Sequence, residues 1–161
     1  MEKTFKQTIE IFSGLTYGSV YDTSYIQHKQ LNDFRFITLT DFVDKTRTYK
    51  YPILIVSPAT TDTPYKVSTL NRSFNVGILD MIKPDQSNLI DVYSDTEQIM
   101  LDIINILRNN FSIYKINLVS VGDLEPTQGT EFEDDLAGWF CEFEFKVPYN
   151  NNYCATATPV K

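Results

Sequence analysis

The sequence predicts a mixed α+β protein in which a long amphipathic helix lies across a mostly antiparallel β-sheet. Residues 94–110 carry apolar side chains at spacings of three and four, as an amphipathic helix does. Residues 53–56 form a continuous run of β-branched residues and Leu, which is typical of a strand covered on both faces. Residues 139–147 alternate apolar and polar side chains, which predicts a strand with one buried face. Helices gathered on one face of such a sheet define the α+β class.

The helix predicted over residues 94–110 is the central element. Ser94 and Glu97 have the spacing of a capping box, so we expect the helix to begin at Ser94. Arg108 places a positive charge in the last turn, where the helix dipole favours it. At about 1.5 Å per residue the helix is roughly 25 Å long, enough to cross several strands. The side chains predicted to form its buried face are Met100, Ile103, Ile104 and Leu107.

Two strands before this helix are predicted to form a long hairpin. The first covers residues 51–56 and is closed by Ser57 and Pro58, with a loop over residues 59–64. The second covers residues 65–82 and has a period of two. Its side chains predicted to face the core are Leu70, Phe74, Val76 and Ile78.

After the helix, residues 113–121 are predicted to form a strand and residues 122–134 a long acidic loop. The last strand has the clearest alternation in the chain. Glu142 and Glu144 are expected to face solvent, a lumen or a partner. The residues of this strand predicted to face the core are Trp139, Cys141, Phe143, Phe145 and Val147.

The N-terminal part is predicted to begin with a shorter helix over residues 2–12. The segments that follow are predicted as an ordered loop (residues 16–26), a polar turn (28–34), a short strand (36–39) and a charged connection (41–50). We expect residues 1–149 to form a single domain, because no composition shift or repeat divides them. Residues 150–161 are too weakly patterned to fold alone and are expected to form an extended C-terminal tail.

The composition is that of an ordinary globular protein. Of the 161 residues, 42% are hydrophobic and 22% charged, which is unlike a disordered chain. The net charge of −7 argues against a protein that wraps nucleic acid. The sequence has no apolar run near the roughly 20 residues of a membrane helix and no signal-peptide pattern at its start. We therefore expect a protein made in the cytoplasm.

The sequence contains no recognisable catalytic or metal-binding pattern. The six glycines are scattered rather than grouped in a phosphate-binding loop, and His28 is the only histidine. Cys141 and Cys154 are too few for a zinc site, and a disulfide between them is not expected in the cytoplasm. The carboxylates of residues 122–135 could bind a divalent cation, but such a loop more often stays solvated. We expect no enzyme activity, no cofactor and no metal.

Five passages of the chain resemble phage tail-terminator, tail-completion and head–tail connector (neck ring) proteins, as found in phages of Bacteroides-type bacteria. They are HKQLNDF (28–34), KYPILIVSP (50–58), FNVGILDMI (74–82), SDTEQIMLDIINIL (94–107) and DDLAGWFCEFEFKVPYNNNYC (134–154). Together they cover most of the chain from His28 onward, and residues 16–25 look like an insertion relative to that pattern.

The resemblance implies a structural virion protein of the phage neck or tail, assembled in the host cytoplasm. It implies a homo-oligomeric ring of six or twelve copies that contacts portal, connector or tail proteins, with no membrane involved. DNA would pass through the lumen without specific binding. Six copies would together carry about −42, which would repel DNA phosphates. The candidate lumen-facing carboxylates are those of Glu131, Glu133, Asp134 and Asp135. The candidate subunit contacts are Tyr65, Val67, Tyr149 and Tyr153.

Two other classes of function remain open from the residues alone. The main alternative is a cytoplasmic protein-binding adaptor module without enzymatic activity, which would be a monomer or a dimer. A small hydrolase is the other, and it would need a deep pocket with convergent polar groups. The mass of the particle in solution separates the adaptor from a ring.

Overall fold

The described strands form one sheet, with two longer helices on one of its faces. The computed structural model describes residues 4–19, 25–36, 49–62, 69–129 and 135–148. The helices are α1 (Phe5–Gly14), α2 (Leu89–Asn109) and the one-turn α3 (Phe111–Tyr114). The strands are β1 (Asp33–Phe36), β2 (Ile53–Thr61), β3 (Thr69–Met81), β4 (Asn117–Val121), β5 (Glu125–Gly129) and β6 (Leu136–Pro148).

The sheet has the order β1-β2-β3-β6-β4, and β5 also pairs with β6. β1 runs parallel to β2, whereas every other pairing is antiparallel. β4 lies opposite the second half of β6 and β5 opposite its first half, so these two short strands follow one another along the same edge. The predicted α+β class, the mostly antiparallel sheet and the hairpin formed by β2 and β3 are confirmed.

The main core lies between the helices and one face of the sheet. α1 contributes Ile11 and Phe12, and β6 contributes alternate residues from Cys141 to Val147. Phe12 packs edge-on against Phe74 and Phe145. A smaller apolar cluster lies on the opposite face, which we call the helix-free face. Its buried members are Tyr49, Ile53, Ile55, Leu79 and Leu136. β2 is therefore buried on both faces, as its unbroken apolar run predicts.

Helix α2 begins earlier than the sequence predicts. Its first residue is Leu89, and Ser94 lies in its second turn, so the predicted capping box does not form. Val92 explains the difference, because it packs with Ile82 and Ala137 and gives the added turn a buried contact. Asn88 precedes the helix and accepts a hydrogen bond from the Lys83 amide at 2.7 Å.

The buried face of α2 is where its spacing places it. Ile104 is the most exposed of the four predicted residues, at 7%. Trp139, also predicted as core, is only half-buried, because its indole lies at the margin of α2. Its Nε1 donates a hydrogen bond to the Tyr93 carbonyl at 2.9 Å, and its ring packs edge-on against that of Tyr93. The remaining predicted core residues of β6 (Cys141, Phe143, Phe145 and Val147) are buried.

The N-terminal elements differ from the prediction at their ends. α1 begins at Phe5, after a capping box in which Thr4 and Gln7 exchange hydrogen bonds. β1 starts at Asp33, inside the segment predicted to be a turn, and is held there by its parallel pairing with β2. The remainder of the predicted short strand, residues 37–39, lies outside the described residues, as does most of the charged connection.

β2 is longer than predicted. It continues through Ser57 and Pro58 to Thr61, into the segment predicted to be a loop. The proline is accommodated because the register of the β2–β3 pair shifts between Pro58 and Thr60, and a bulge tolerates a residue without an amide hydrogen.

Two corrections concern the segment between α2 and β6. Phe111–Tyr114 is a helical turn rather than the start of a strand, and Lys115 ends it in the left-handed conformation with φ of 58°. Glu125–Gly129 is strand β5 rather than loop. Its sequence, EPTQG, has little strand propensity. Pairing with β6 stabilises β5 as a strand, because the backbone groups along that edge of β6 need hydrogen-bonding partners.

Candidate interaction surfaces

A depression on the helix-free face combines charged and apolar groups. Its volume is about 390 Å³, near the lower end of the range for small-ligand sites. Ser57, Asn75 and Glu142 are direct cross-strand partners and form one row of its wall. The lining residues are Ile55, Ser57, Asn75, Gly122, Asp123, Glu125, Phe140, Cys141 and Glu142.

The depression exists because two short strands share one edge of β6. β4 pairs with β6 as far as Phe143, and β5 takes up the pairing at Phe140. Between them the chain bends away, and the Gly122 amide donates to the Glu142 carbonyl at 2.8 Å. The Phe140 ring lies across Gly77, since a Cβ added there would be 2.3 Å from it. The ring thus forms an apolar side of the depression.

The depression is negatively charged. Asp123, Glu125 and Glu142 are exposed, and neither Lys nor Arg is among the described residues that line it. Their charges would attract a cation or a cationic side chain. Within the described ranges, no group of three or more His, Cys, Asp or Glu residues is placed to hold a metal ion.

Cys141 contributes backbone to this surface, but its thiol points to the opposite side of the sheet. The Sγ atom lies 3.8 Å from the Met100 Sδ atom in the main core. Burial raises the pKa of the Cys141 thiol to about 12, so the sulfur is neutral at physiological pH. A neutral, buried thiol is a poor nucleophile, and Cys141 therefore acts as a small core residue.

A second cleft lies where residues 29–32 meet β3 and the start of α2. Its volume is about 380 Å³, and its charged residues are Lys29, Asp80 and Asp95. Burial raises the pKa of the Asp80 carboxyl, a hydrogen bond from the Met81 amide opposes the shift, and the charge of Asp95 adds to it. The side-chain amide of Asn32, which lines the cleft, donates a hydrogen bond to the Tyr51 carbonyl at 2.9 Å.

His28 has a packing role. Its Nε2 atom lies 2.9 Å from Asp102 Oδ2, and its Nδ1 atom accepts from the Gln30 amide at 3.2 Å. Burial alone would raise the pKa of the Asp102 carboxyl, but hydrogen bonds from His28 and Gln98 outweigh it and the pKa is lowered. The interaction ties the segment before β1 to α2.

The predicted lumen and contact residues lie largely outside the described residues. This holds for Glu131, Glu133 and Asp134, and for all four candidate contacts, Tyr65, Val67, Tyr149 and Tyr153. Asp135 is described and exposed, and its carbonyl accepts from the Ile82 amide at 2.9 Å.

The described residues that flank two of the candidate contact segments, residues 63–68 and the C-terminal tail, are neighbours in the sheet. Thr69, the first residue of β3, pairs directly with Pro148, the last residue of β6. The segment that ends at residue 68 and the tail that begins at residue 149 therefore meet the sheet at neighbouring positions. Sequence reasoning proposed each segment separately and had no signal for their adjacency, which is a property of the β3–β6 register.

The sequence also did not predict the depression lined by Asp123, Glu125 and Glu142, which we call the acidic depression. The alternation in β6 places Glu142 on the solvent face, but Glu125 joins it only because residues 125–129 form a strand. None of the helices among the described residues is long and apolar enough to cross a membrane. In comparisons with known proteins, no family model matches the chain and no curated protein shows significant similarity to it.

Proposed function

We propose that this chain is a structural protein of a phage neck or tail, either a tail terminator or a head–tail connector. It assembles as a closed ring of six or twelve copies that joins the portal or capsid to the tail. DNA passes through the lumen of the ring without specific binding. The proposal begins from the sequence resemblance and is supported by three features of the described residues.

The observation that carries the proposal is the adjacency of Thr69 and Pro148. A closed ring needs heterologous contacts, in which one surface of a copy meets a different surface of the next. The hairpin residues 63–68 and the tail residues 149–161 both connect to the sheet at this one end. We propose that both segments contact the same neighbouring copy.

The distribution of charge also supports a ring around DNA. The chain carries −7, and Asp135, the one candidate lumen residue that the structure describes, is exposed. A lumen lined with carboxylates repels the phosphate backbone, so duplex DNA can slide rather than bind. In the sequence, the candidate lumen residues Glu131, Glu133, Asp134 and Asp135 fall between β5 and β6.

The chemistry of the described residues favours a structural role over catalysis. Cys141 is buried and protonated, and His28 is engaged with Asp102. The carboxylates of the acidic depression are exposed to water, whereas catalytic acids and bases are tuned by burial or by close partners.

The mass of the purified chain tests this proposal. Mass photometry at submicromolar concentration should give a particle of six or twelve times the chain mass of 18.6 kDa. A single species at one or two chain masses, unchanged as the concentration rises, would contradict the ring and favour the adaptor module. A small hydrolase would instead show catalytic turnover of a small-molecule substrate, and the ring proposal predicts no such activity.

A further inference from the structure

We propose that neighbouring copies meet through opposite edges of the sheet. A basic edge, formed by Arg35 and Lys50 beside β1, docks on an acidic edge, formed by Asp123, Glu125 and Glu142 beside β4 and β5. The contact rests on the proposed function, because it names the surfaces through which the ring would close. The occupant of the acidic depression is thus a second copy of this chain.

The first support is a row of residues that crosses the whole sheet. Arg35 in β1 lies opposite Ile55, which lies opposite Gly77, which lies opposite Phe140, which lies opposite Glu125 in β5. Directly opposed residues in a sheet share a face, so the five positions lie on the helix-free face. The row carries a cation at one edge of the sheet and a carboxylate at the other, about 19 Å away at the usual strand spacing of about 4.8 Å.

This row makes the two edges complementary in height as well as in charge. If a second copy is placed beside the first by rotation about an axis nearly parallel to the strands, its strands keep their direction. Arg35 of one copy then lies level with Glu125 of the next. Such a contact joins the basic edge of one copy to the acidic edge of the next. The acidic edge of the first copy and the basic edge of the second stay available, so the contact can be repeated around a ring.

The exposed charge at the basic edge is positive despite the nearby Asp33. The Asp33 side chain is only 16% exposed and lies 3.1 Å from Arg35. Its other oxygen accepts from the Lys50 amide at 3.2 Å, so this carboxylate is used within the chain. The Arg35 side chain is 42% exposed and its guanidinium lies 5.2 Å from the centre of the Tyr49 ring. Arg35 is thereby held in place yet open to a further partner, and Lys50 is exposed.

Side chains, rather than strand addition, carry the contact. β4 is irregular between Leu118 and Ser120, and β5 contains Pro126, which has no amide hydrogen to donate. Both features interrupt a continuous hydrogen-bond ladder, as in edges that resist open-ended pairing.

Charge reversal tests the contact. Glu125→Lys should lower the mass of the particle to one chain, or raise the concentration needed for assembly at least tenfold, and Arg35→Glu should do the same. Glu97→Lys, the same change at an exposed position on α2, is the matched control and should assemble as the unaltered chain does. If Arg35→Glu melts early by circular dichroism, Lys50→Glu replaces it with the same expected loss.

Two combinations make the test specific. A chain that carries both Glu125→Lys and Arg35→Glu should regain assembly, because the charges are exchanged rather than removed. An equimolar mixture of the two single variants should also regain it, since every contact between unlike copies then joins opposite charges. Failure of both combinations to restore assembly, with the chains folded, overturns the proposed contact.

The outcomes also separate this inference from the ring itself. Rings that form normally with both single variants overturn the contact and leave the ring in place. If the unaltered chain forms open chains or dimers, and charge reversal abolishes them, the result supports the contact and contradicts a closed ring. A chain that stays monomeric at all concentrations contradicts both.

Discussion

Gly138 is the tightest point between the two longest strands. A Cβ added there would lie 1.8 Å from the Ile78 carbonyl oxygen, which belongs to the backbone of β3 and cannot move aside alone. Gly138→Ala should therefore destabilise the fold by about 1–3 kcal/mol, the usual range for overpacking. Thermal or urea unfolding measures the effect.

Gly122 is the matched control for this change. It also lies beside β6, but a Cβ there would meet its first neighbour at an ordinary 3.5 Å. Gly122→Ala should therefore leave the unfolding midpoint nearly unchanged. Equal midpoints for the two alanine variants would show that β3 and β6 are not packed as closely as the structure has them.

Asp80 predicts a pH dependence of stability. Its pKa is raised in the folded protein, chiefly by burial, so ionisation of Asp80 opposes folding. The folding free energy that Asp80 contributes is fully present below the unfolded pKa, near 3.8, and is lost as the pH rises through the higher folded value. Asp80→Asn should therefore raise the melting temperature at pH 7, and the gain should shrink as the pH falls towards 4.

Asp95→Asn tests the cause of this shift. Removing the Asp95 charge takes away one contribution that raises the Asp80 pKa, so it should give a smaller gain of the same sign. A gain from Asp80→Asn that is equal at pH 7 and at pH 4 would show that ionisation of this carboxyl has no part in the effect.

At the scale of elements, α2 holds the sheet through one face. Ile103 is fully buried in the main core, whereas Ile90 on the same helix is 83% exposed. Ile103→Asp should destabilise the protein by about 3–5 kcal/mol or prevent folding, because it leaves a charge unpaired in an apolar site. Ile90→Asp introduces the same side chain in the first turn, where the helix dipole favours it, and should be tolerated.

Helical content and the urea midpoint measure this pair of variants. A folded Ile103→Asp protein with an unchanged midpoint would place that face of α2 in solvent. Loss of folding in both variants would instead show that the helix tolerates no acidic substitution, whatever its exposure.

The elements also show what local sequence can predict. The buried face of α2 follows from spacing alone, because period and burial are linked wherever a helix crosses a sheet. Its start does not, because the Ser94–Glu97 pattern is a local signal that the burial of Val92 outweighs. Tertiary contacts also explain why β5 is not predicted. The sequence EPTQG has no strand pattern, and it forms a strand because it pairs with β6.

At the scale of the molecule, the sheet and its hairpin are predictable but the candidate surfaces are not. The α+β class follows from alternation in β6 and the apolar run in β2. The acidic depression needs residues from β2, β3, β5, β6 and the β4–β5 connection to be brought together. The row from Arg35 to Glu125 needs four strand registers at once. No single-sequence pattern contains that information.

The C-terminal tail should be needed for assembly but not for folding. Deleting residues 150–161 leaves β6 intact as far as Pro148. The truncated chain should therefore melt close to the temperature of the full chain but run as a monomer in mass photometry. If it assembles as the full chain does, the tail makes no necessary subunit contact, and the contact between the sheet edges at Arg35 and Glu125 is sufficient.

The closed ring itself is tested most directly by electron microscopy of the purified full-length chain. Class averages should show rings with sixfold or twelvefold symmetry and a central channel wide enough for duplex DNA. Isolated single-domain particles, or open chains that never close, would contradict the proposed function.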